Sequence, residues 1–387
     1  MATTTQYPKL DEDLAAEDAA SGLYSPLPSS SEYIRLIELL PAASIDELVH
    51  CSLRVVKLSD EPDYVCLSYV WDDATIRKPA HVNGVQANIT EQLDLALRRI
   101  RDGTEERVIW ADALCINQED LAERSSQVQL MGQVFSSARR VLAFLGPSER
   151  EFDKALTALQ SSGFSRHAKV LKKAQSFKKA LNSPMASIIE ESYPAIRDLA
   201  NRPYWGRTWI VQEVLVARSI DVLYGSVILP WNLFESLDYW FQRTVLTFAD
   251  REDEPRAVCR DFGCSVGLLC HLRESIQQTL AYKNNADVDW WLLLRQHRMS
   301  VATDQHDKLF ALYGIAHDLR PFITIDYAMT VVDTYKDFTR RYMAATASVE
   351  LMIHATRRRD RSELSHELPS WVPDYSTSET TTLGVDE

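Results

Sequence analysis

One glutamate lies in the middle of an apolar segment of this 387-residue chain and is the first candidate for a catalytic group. Residues 202–217, RPYWGRTWIVQEVLVA, have the pattern of a helix that is entered through a proline and buried on all sides. Glu213 follows Trp209 by one helical turn, so the two side chains share a face of the predicted helix. A buried carboxylate is costly unless it is paired, hydrogen-bonded or protonated. Glu213 therefore needs either a structural partner, such as Arg207, Arg124 or the end of a neighbouring strand, or a functional task.

Four short apolar runs alternate with helical patterns in the part of the chain that precedes and includes this segment. Such runs predict strands buried on both faces, and their alternation with helices predicts a parallel sheet covered by crossover helices. The predicted fold class is α/β, with a parallel sheet flanked by helices, a charged helical insertion at about 150–200 and a mainly helical C-terminal extension from residue 231. The predicted strands are YVCLSYVW (64–71), RVIWADAL (107–114), RVLAFLG (140–146) and SIDVLYGS (219–226).

Local signals between these strands predict a hairpin and two helices. Asn83-Gly84 lies between two short apolar runs, which is a strong signal for a hairpin turn. Asn88 with Glu91 three residues later resembles a capping box and predicts the start of a helix. Apolar residues at helical spacing predict another helix over about 118–138.

Polar side chains follow two of the predicted strands and form the second group of candidates. Trp71 follows the first strand, and Asp112 and Asn117 follow the second. Ligands of an open parallel sheet bind beyond the carboxyl ends of its strands, so these residues are expected to face one crevice with Trp209 and Glu213. Asp and Asn also stabilise turns through their own side chains, and this alternative stays open for Asp112 and Asn117.

Composition and charge argue against several classes of partner. The chain has 42 basic and 55 acidic residues, a formal net charge of −13, whereas nucleic acid and anionic membranes demand a basic face. One local basic stretch, RHAKVLKKAQSFKK (166–179), is interpreted as a solvated helix face or loop. No run approaches the roughly 20 apolar residues of a membrane span, and the N-terminus lacks the layout of a signal peptide. We expect no nucleic acid and no membrane span.

The cysteines and the missing motifs exclude other chemistries. The six cysteines are scattered through apolar runs, which is typical of reduced core residues and predicts a cytoplasmic protein. Cys259, Cys264, Cys270 and His271 cluster, but their spacing matches no zinc knuckle, so no metal is expected. Glycine-rich phosphate-binding motifs and the signatures of zinc proteases and serine hydrolases are also missing.

The pattern divides the chain into four predicted parts. Residues 1–30 are acidic and poor in large apolar residues, which predicts a disordered N-terminal segment. Residues 31–230 form the α/β core with its insertion, 231–375 form a mainly helical part packed on that core, and 376–387 form a tail or mark a cut inside a longer protein.

Three blocks of the sequence resemble those of the fungal heterokaryon-incompatibility (HET) domain. They are CLSYVWDD (66–73), the long segment from VIWADALCINQ to RVLAFLG (108–146), and RPYWGRTWIVQEVLVA (202–217). Flanking segments, including IRLIELLPA, ATDQHDKLFALYGIA (302–316) and LPSWVPDY (368–375), resemble those that often accompany the domain, so the resemblance covers most of 33–375.

HET domains are in turn distantly similar to TIR domains, some of which cleave NAD. CLSY at 66–69 resembles the first strand of many TIR domains, and Trp209 and Glu213 have the Trp-x-x-x-Glu spacing whose Glu is catalytic in the NAD-cleaving members. The resemblance implies a TIR-like (flavodoxin-like) fold with Glu213 as the catalytic residue and NAD as the substrate. It implies substrate contacts from Trp209, Ser68, Tyr69, Trp71, Asp112 and Asn117.

The chain departs from the TIR pattern at two places. TIR enzymes often carry Arg after the first strand, where this chain has Trp71, Asp72 and Asp73, and the insertion at 150–200 is foreign to them. Tyr69 and Trp71 also have an alternative interpretation, because aromatic residues at a strand end commonly belong to the core.

Two functions of different class follow from the resemblance. HET domains trigger cell death when genetically different hyphae fuse, and the first function is such a death effector that hydrolyses NAD to nicotinamide and an ADP-ribose product. The second is a non-enzymatic module that acts by self-assembly and recruits partners. Both predict a homo-oligomer, and an incompatibility partner protein is a further expected partner.

Overall fold

The computed structural model describes residues 23–28, 32–71, 75–165, 184–244, 254–281, 293–294, 300–353 and 363–376. Asp72, Asp73, the basic stretch 166–179 and the predicted tail after residue 376 lie outside the described residues. The chain divides into two compact units that alternate along the sequence. The first unit comprises Met1–Pro62 and Trp71–Gln127, and the second comprises Asp63–Val70 and Val128–Glu387. The four-part division predicted from the sequence stays a prediction.

The described residues form strands and helices in alternation. The strands are β1 (Tyr33–Leu39), β2 (Val49–Lys57), β3 (Val65–Tyr69), β4 (Arg77–Val82), β5 (Val85–Thr90), β6 (Arg107–Trp110), β7 (Arg140–Phe144), β8 (Ile220–Tyr224) and β9 (Val227–Pro230). The helices are α1 (Glu91–Ile100), α2 (Asp112–Cys115), α3 (Leu121–Ser137), α4 (Arg150–Ser161), α5 (Pro184–Glu191), α6 (Tyr193–Ala200), α7 (Ile210–Val216), α8 (Trp231–Thr244), α9 (Glu254–Phe262), α10 (Leu268–Ala281), α11 (Asp307–Phe310), α12 (Val331–Thr346) and α13 (Glu350–Ile353).

The strands of the first unit are mostly antiparallel. Their order is β5-β4-β2-β1-β6, and β1 pairs antiparallel with β2 from Tyr33↔Lys57 to Leu39↔Cys51. β6 is antiparallel to β1, β4 is antiparallel to β5, and only β2 and β4 run parallel. The predicted purely parallel sheet is therefore wrong. An apolar run such as RVIW shows that a strand is buried but carries no information on the direction of its neighbour.

The hairpin predicted at Asn83-Gly84 is confirmed. Val82 pairs with Val85, and the two turn residues have φ of 54° and 79°, the positive values that a two-residue type I′ turn requires. The predicted start of the next helix at Asn88 is wrong, because Asn88 pairs with Pro79 inside β5. α1 begins only after Thr90, which provides no side-chain cap.

The second unit contains the parallel strands that the sequence predicts. β3, β7 and β8 are adjacent and parallel, and β9 closes this set as an antiparallel strand. All five residues of β3 are buried, as expected for a strand covered on both faces. The unit is therefore of the α/β class, with a mixed set of strands.

The insertion and the C-terminal extension share an aromatic core in the second unit. Tyr193 from the insertion lies with its ring centroid 6.2 Å from that of Phe241 in α8, and Phe241 lies 5.2 Å from Phe262 in α9. Phe164 lies 6.1 Å from Trp240. Among the helices that the structure describes, none combines the length and the apolar character needed to cross a lipid bilayer.

Two glycines allow a close contact in the second unit. The predicted helix over 118–138 is confirmed as α3, and its Gly132 lies against the backbone of Gly314. A β-carbon on Gly314 would lie 3.1 Å from the Cα atom of Gly132 and would overlap the side-chain amide of Gln212. Glycine is thus required at this position by the approach of two backbones.

We expect Gly314→Ala to lower the free energy of unfolding by about 1–3 kcal/mol, because the added methyl group overpacks a closed contact. Gly103→Ala is the matched control, since a β-carbon there meets nothing within 4 Å. Urea denaturation of both variants measures the difference. Equal stability of the two variants would show that the contact at Gly314 relaxes without cost.

Candidate functional site

Glu213 is buried, and its carboxylate is held by a hydroxyl group on a neighbouring strand. The residue is 2% exposed and lies in α7. Ser68 of β3, itself 2% exposed, donates a short hydrogen bond from Oγ to Oε2 of Glu213. The hydroxyl of Tyr204 lies 2.7 Å from the same Ser68 Oγ. The structure therefore brings two predicted site residues, Ser68 and Glu213, into direct contact in the second unit.

The three side chains form a chain of hydrogen bonds with one direction. An ionised carboxylate only accepts hydrogen bonds, so the Ser68 hydroxyl donates to Glu213 and accepts from the Tyr204 hydroxyl. Burial, and then the negative charge of Glu213, raise the pKa of Tyr204. The phenol thus keeps its proton and remains a donor. This arrangement stabilises the charged form of Glu213 and fixes the orientation of its carboxylate.

Arg207 supplies positive charge beside the carboxylate. Its Nη1 atom lies 3.9 Å from Oε2 of Glu213, which is at the limit of an ion pair and too long for a hydrogen bond. Nη1 is buried and has no hydrogen-bond partner among the residues that the structure describes. The structural partner predicted for Glu213 is therefore present in Arg207, although the direct contact of the carboxylate is with Ser68.

The helix predicted over 202–217 is shorter in the structure. Pro203–Gly206 form a 3-10 turn, and α7 begins only at Ile210. The prediction of one continuous helix is wrong here because the amide of Thr208 bonds to the carbonyl oxygen of Val301 at 3.1 Å instead of to a preceding turn. Periodicity in 202–217 cannot reveal a partner that lies almost one hundred residues later.

Trp209 and Glu213 keep the relation that the sequence predicts. Trp209 is half-buried and precedes α7 in helical conformation, and the amide of Glu213 bonds to its carbonyl oxygen at 3.2 Å. The two residues are therefore one turn apart. Tyr69 is 1% exposed and pairs with Phe144 in the sheet, as a core aromatic does. The substrate contacts predicted for Trp209, Ser68 and Tyr69 stay predictions.

Three other predicted site residues belong to the first unit. The indole Nε1 of Trp71 donates to both carboxylate oxygens of Asp112, at 3.2 and 3.1 Å. The side-chain oxygen of Asn117 accepts from the amide of Glu119 at 3.2 Å, the geometry of a residue that builds its own turn. The structure thus pairs Trp71 with Asp112 and gives Asn117 a local role. Their predicted contacts with substrate stay predictions.

Tyr204 is the residue of the site that sequence reasoning missed. It is fully buried and reaches Ser68 from a position 136 residues later in the chain. The signal available was its place in RPYWGRTW, the aromatic entry to the segment of Glu213. No periodicity assigns an aromatic residue outside a regular helix to a particular strand.

The thiols and acidic groups show no metal-binding arrangement in the part of the chain that the structure covers. No three His, Cys, Asp or Glu side chains gather there at metal-ligand distance. Cys259 and Cys270 are buried free thiols, whereas Cys264 is an exposed one. Burial raises the pKa of the Cys115 thiol, which keeps it protonated and agrees with a core role.

A second buried titratable group in this unit is His306, which is 7% exposed. Its Nδ1 atom lies 2.6 Å from Oδ1 of Asp304, and its Nε2 atom lies 3.0 Å from the carbonyl oxygen of Met329. Both partners are acceptors, so both ring nitrogens carry protons and the imidazole is charged. Burial lowers the pKa of His306, but the hydrogen bond to Asp304 and its charge raise it further, and the net shift is upward from 6.5.

The upward shift predicts a stability that depends on pH. The contribution of the His306–Asp304 pair is fully present below the unfolded pKa of about 6.5 and is lost as pH rises through the folded pKa. We therefore expect His306→Gln to be less stable than the wild type at about pH 6, and the difference to shrink toward about pH 8.5. Urea denaturation across this range checks it, with His366→Gln at an exposed histidine as the control. A difference independent of pH would contradict the charged state of His306.

Comparison with known proteins identifies the family. Residues 64–213 match the sequence model of the family described as heterokaryon incompatibility protein (HET). Heterokaryon incompatibility protein 6, OR allele, of Neurospora crassa is 31% identical over 400 residues, which cover 90% of this chain and 58% of that relative. No solved structure matches the chain. The matched residues begin at the strand of Ser68 and end at Glu213, and through them the chain belongs to the heterokaryon incompatibility (HET) family.

Proposed function

We propose that this chain is a death effector of fungal non-self recognition that hydrolyses NAD to nicotinamide and an ADP-ribose product, with Glu213 as its catalytic carboxylate. Membership of the HET family and the name of the Neurospora relative support the role in incompatibility. Because the chain spans 58% of that relative, segments outside it are part of the comparison, and the activity and partners of the whole protein are proposed here. The protein acts in the cytoplasm as a homo-oligomer, with an incompatibility protein as a further partner.

The observation that carries the enzymatic proposal is a buried, oriented and charged carboxylate. Cleavage of the bond between nicotinamide and ribose develops positive charge on the ribose, and a fixed carboxylate in a low-dielectric site stabilises that charge. Ser68 orients Glu213, and Tyr204 orients Ser68. Trp209 lies half-buried one turn before Glu213, where an indole can stack on nicotinamide or adenine.

A TIR-like arrangement is the fold that this proposal uses. The parallel strands β3, β7 and β8 and the position of Glu213 on the helix before β8 support it. Glu213 is 2% exposed, so NAD reaches it only after the surroundings of α7 open. We therefore propose that the described form is the resting state and that a trigger opens the site.

The same burial favours a second candidate, a non-enzymatic death module that acts by self-assembly and recruits partners. A carboxylate that is hydrogen-bonded to Ser68 and lies beside Arg207 is sufficiently compensated to be structural. In that case Glu213 holds α7 against β3 and no bond of NAD is broken.

The two candidates differ in what the purified chain does to NAD. Incubation with NAD over a series of protein concentrations, with nicotinamide and ADP-ribose separated by chromatography, tests the enzymatic function. Release of nicotinamide that rises steeply with protein concentration is expected, because assembly favours the open state. No release at any concentration, by a chain whose circular dichroism shows it folded and that still kills fungal cells, would favour the module.

A further inference from the structure

The helix that carries Glu213 is too short to set its own position. α7 spans seven residues, whereas isolated helices below about 12 residues are marginal in water. Its last carbonyl groups have no partner within the helix and must be satisfied from outside. The elements that hold α7 therefore decide where the Glu213 carboxylate points.

A buried arginine from α10 satisfies the carbonyl end of α7. Arg273 is 4% exposed, and its Nη1 donates to the carbonyl oxygen of Val214 in a short hydrogen bond and to that of Leu215 at 3.5 Å. Its Nη2 donates to the carbonyl oxygen of Ala217 at 2.7 Å. One guanidinium thus binds three carbonyl groups at the end where the helix dipole is negative and a cation is favourable.

Arg273 is itself held in place. Gln277 lies one turn further along α10, and its amide oxygen, once turned toward the guanidinium, accepts from Nη2 at 2.7 Å and from Nε at 3.2 Å. The five donors of the planar fork are therefore directed at fixed acceptors. A lysine at this position has one ammonium group and no fork, so it cannot reproduce the set.

Two further contacts hold the other parts of α7. Val301 bonds through its amide to the carbonyl oxygen of Gly206 at 2.6 Å and through its carbonyl oxygen to the amide of Thr208 at 3.1 Å. Gln212 packs against Gly314. These holders, like Arg273, come from the chain after residue 213, where the match to the HET family model ends.

We propose that Arg273 is a positioning residue for Glu213: by fixing the carbonyl end of α7 from α10, it sets the direction in which the carboxylate meets Ser68 and the substrate. The catalytic task of that carboxylate rests on the proposed function, whereas the tether itself does not. A displacement of α10 is then transmitted to Glu213, which makes the C-terminal helices the route by which a trigger acts on the site.

The tether is tested by hydrogen exchange in the full chain. Arg273→Lys keeps the positive charge but loses the fork, and Arg273→Met loses both. We expect peptides covering 210–217 to exchange about tenfold faster in Arg273→Met, with Arg273→Lys in between, because charged hydrogen bonds are removed from a marginal helix. Peptides of β7 and β8 are expected to exchange at the wild-type rate.

Arg101→Lys is the matched control, because Arg101 also binds backbone carbonyl groups, those of residues 44–48, at 2.8 to 3.3 Å. Unchanged exchange in 210–217, or an equal increase in β7 and β8, overturns the tether. If Arg273→Met does not fold, Arg273→Lys decides the question alone.

The positioning role is tested by kinetics. We expect Arg273→Lys to lower kcat about tenfold with little change in the KM for NAD, because the carboxylate is misdirected while the binding surface is intact. A change in KM alone overturns the role. If the wild type hydrolyses no NAD, the proposed function fails, and the exchange measurement still decides whether Arg273 holds α7.

Discussion

Replacing Glu213 with Gln is expected to reduce NAD hydrolysis by at least about 100-fold while the chain stays folded. The amide has the size of the carboxylate, and its oxygen still accepts the hydrogen bond from Ser68. It carries no charge, so it stabilises the positive charge on ribose far less in the transition state. Nicotinamide release by the two purified proteins is the measurement, with circular dichroism and urea denaturation to show that both are folded.

The control for this experiment is Glu190→Gln, at an exposed glutamate of α5 in the same unit. It changes the net charge of the protein by the same amount and is expected to leave hydrolysis at the wild-type rate. Equal turnover by Glu213→Gln and the wild type would leave an enzyme whose catalytic group is elsewhere. Expression in fungal cells adds a second result, since undiminished killing by a Glu213→Gln protein without turnover would favour the non-enzymatic module.

Replacing Arg35 with Met is expected to lower the free energy of unfolding by about 3–5 kcal/mol, because it leaves a buried carboxylate without its cation. Arg35 is 2% exposed, and its guanidinium bonds to both carboxylate oxygens of Glu123 at 2.5 and 2.9 Å. It also donates to the carbonyl oxygens of Cys115 at 3.2 Å and Ser25 at 2.7 Å. One side chain thus joins β1, the loop that follows α2, the start of α3 and the segment before β1.

The second ion pair of β1 provides the control. Arg54 contacts Glu38 at 2.5 Å, the same distance as in the buried pair, but its side chain is 50% exposed. Arg54→Met is expected to cost less than about 1 kcal/mol, because water already screens the pair and solvates the glutamate that remains. Urea denaturation of the two variants checks the contrast. Similar losses would show that burial does not decide the strength of these pairs.

The fold was predicted best where a pattern depends on local geometry. Apolar runs gave β3, β7 and β8 within a few residues, because a strand covered on both faces needs apolar side chains at every position. The turn at Asn83-Gly84 was predicted because few other pairs adopt positive φ twice. The strands β1 and β2 were missed, and with them the antiparallel half of the sheet order.

The candidate site was predicted only in part. An acidic residue in an apolar segment indicated that Glu213 is buried, and the structure confirms it. The contact between Ser68 and Glu213, which are 145 residues apart, and the bond from Tyr204 to Ser68 follow from how β3 and α7 pack. A sequence records that a buried charge needs a partner, but the partner is chosen by the packing of distant elements.

The sequence by itself determined the HET family, the α/β class and the buried carboxylate that any account of this protein must explain. It did so because burial, helical period and turn chemistry act over a few neighbouring residues. Only the tertiary structure decided that the segment at 202–217 breaks into a turn and a short helix, that Ser68 and Tyr204 orient Glu213, and that Arg273 holds the helix from beyond the matched domain. Those features depend on hydrogen bonds between groups that are 56 or more residues apart, and no local pattern encodes such bonds.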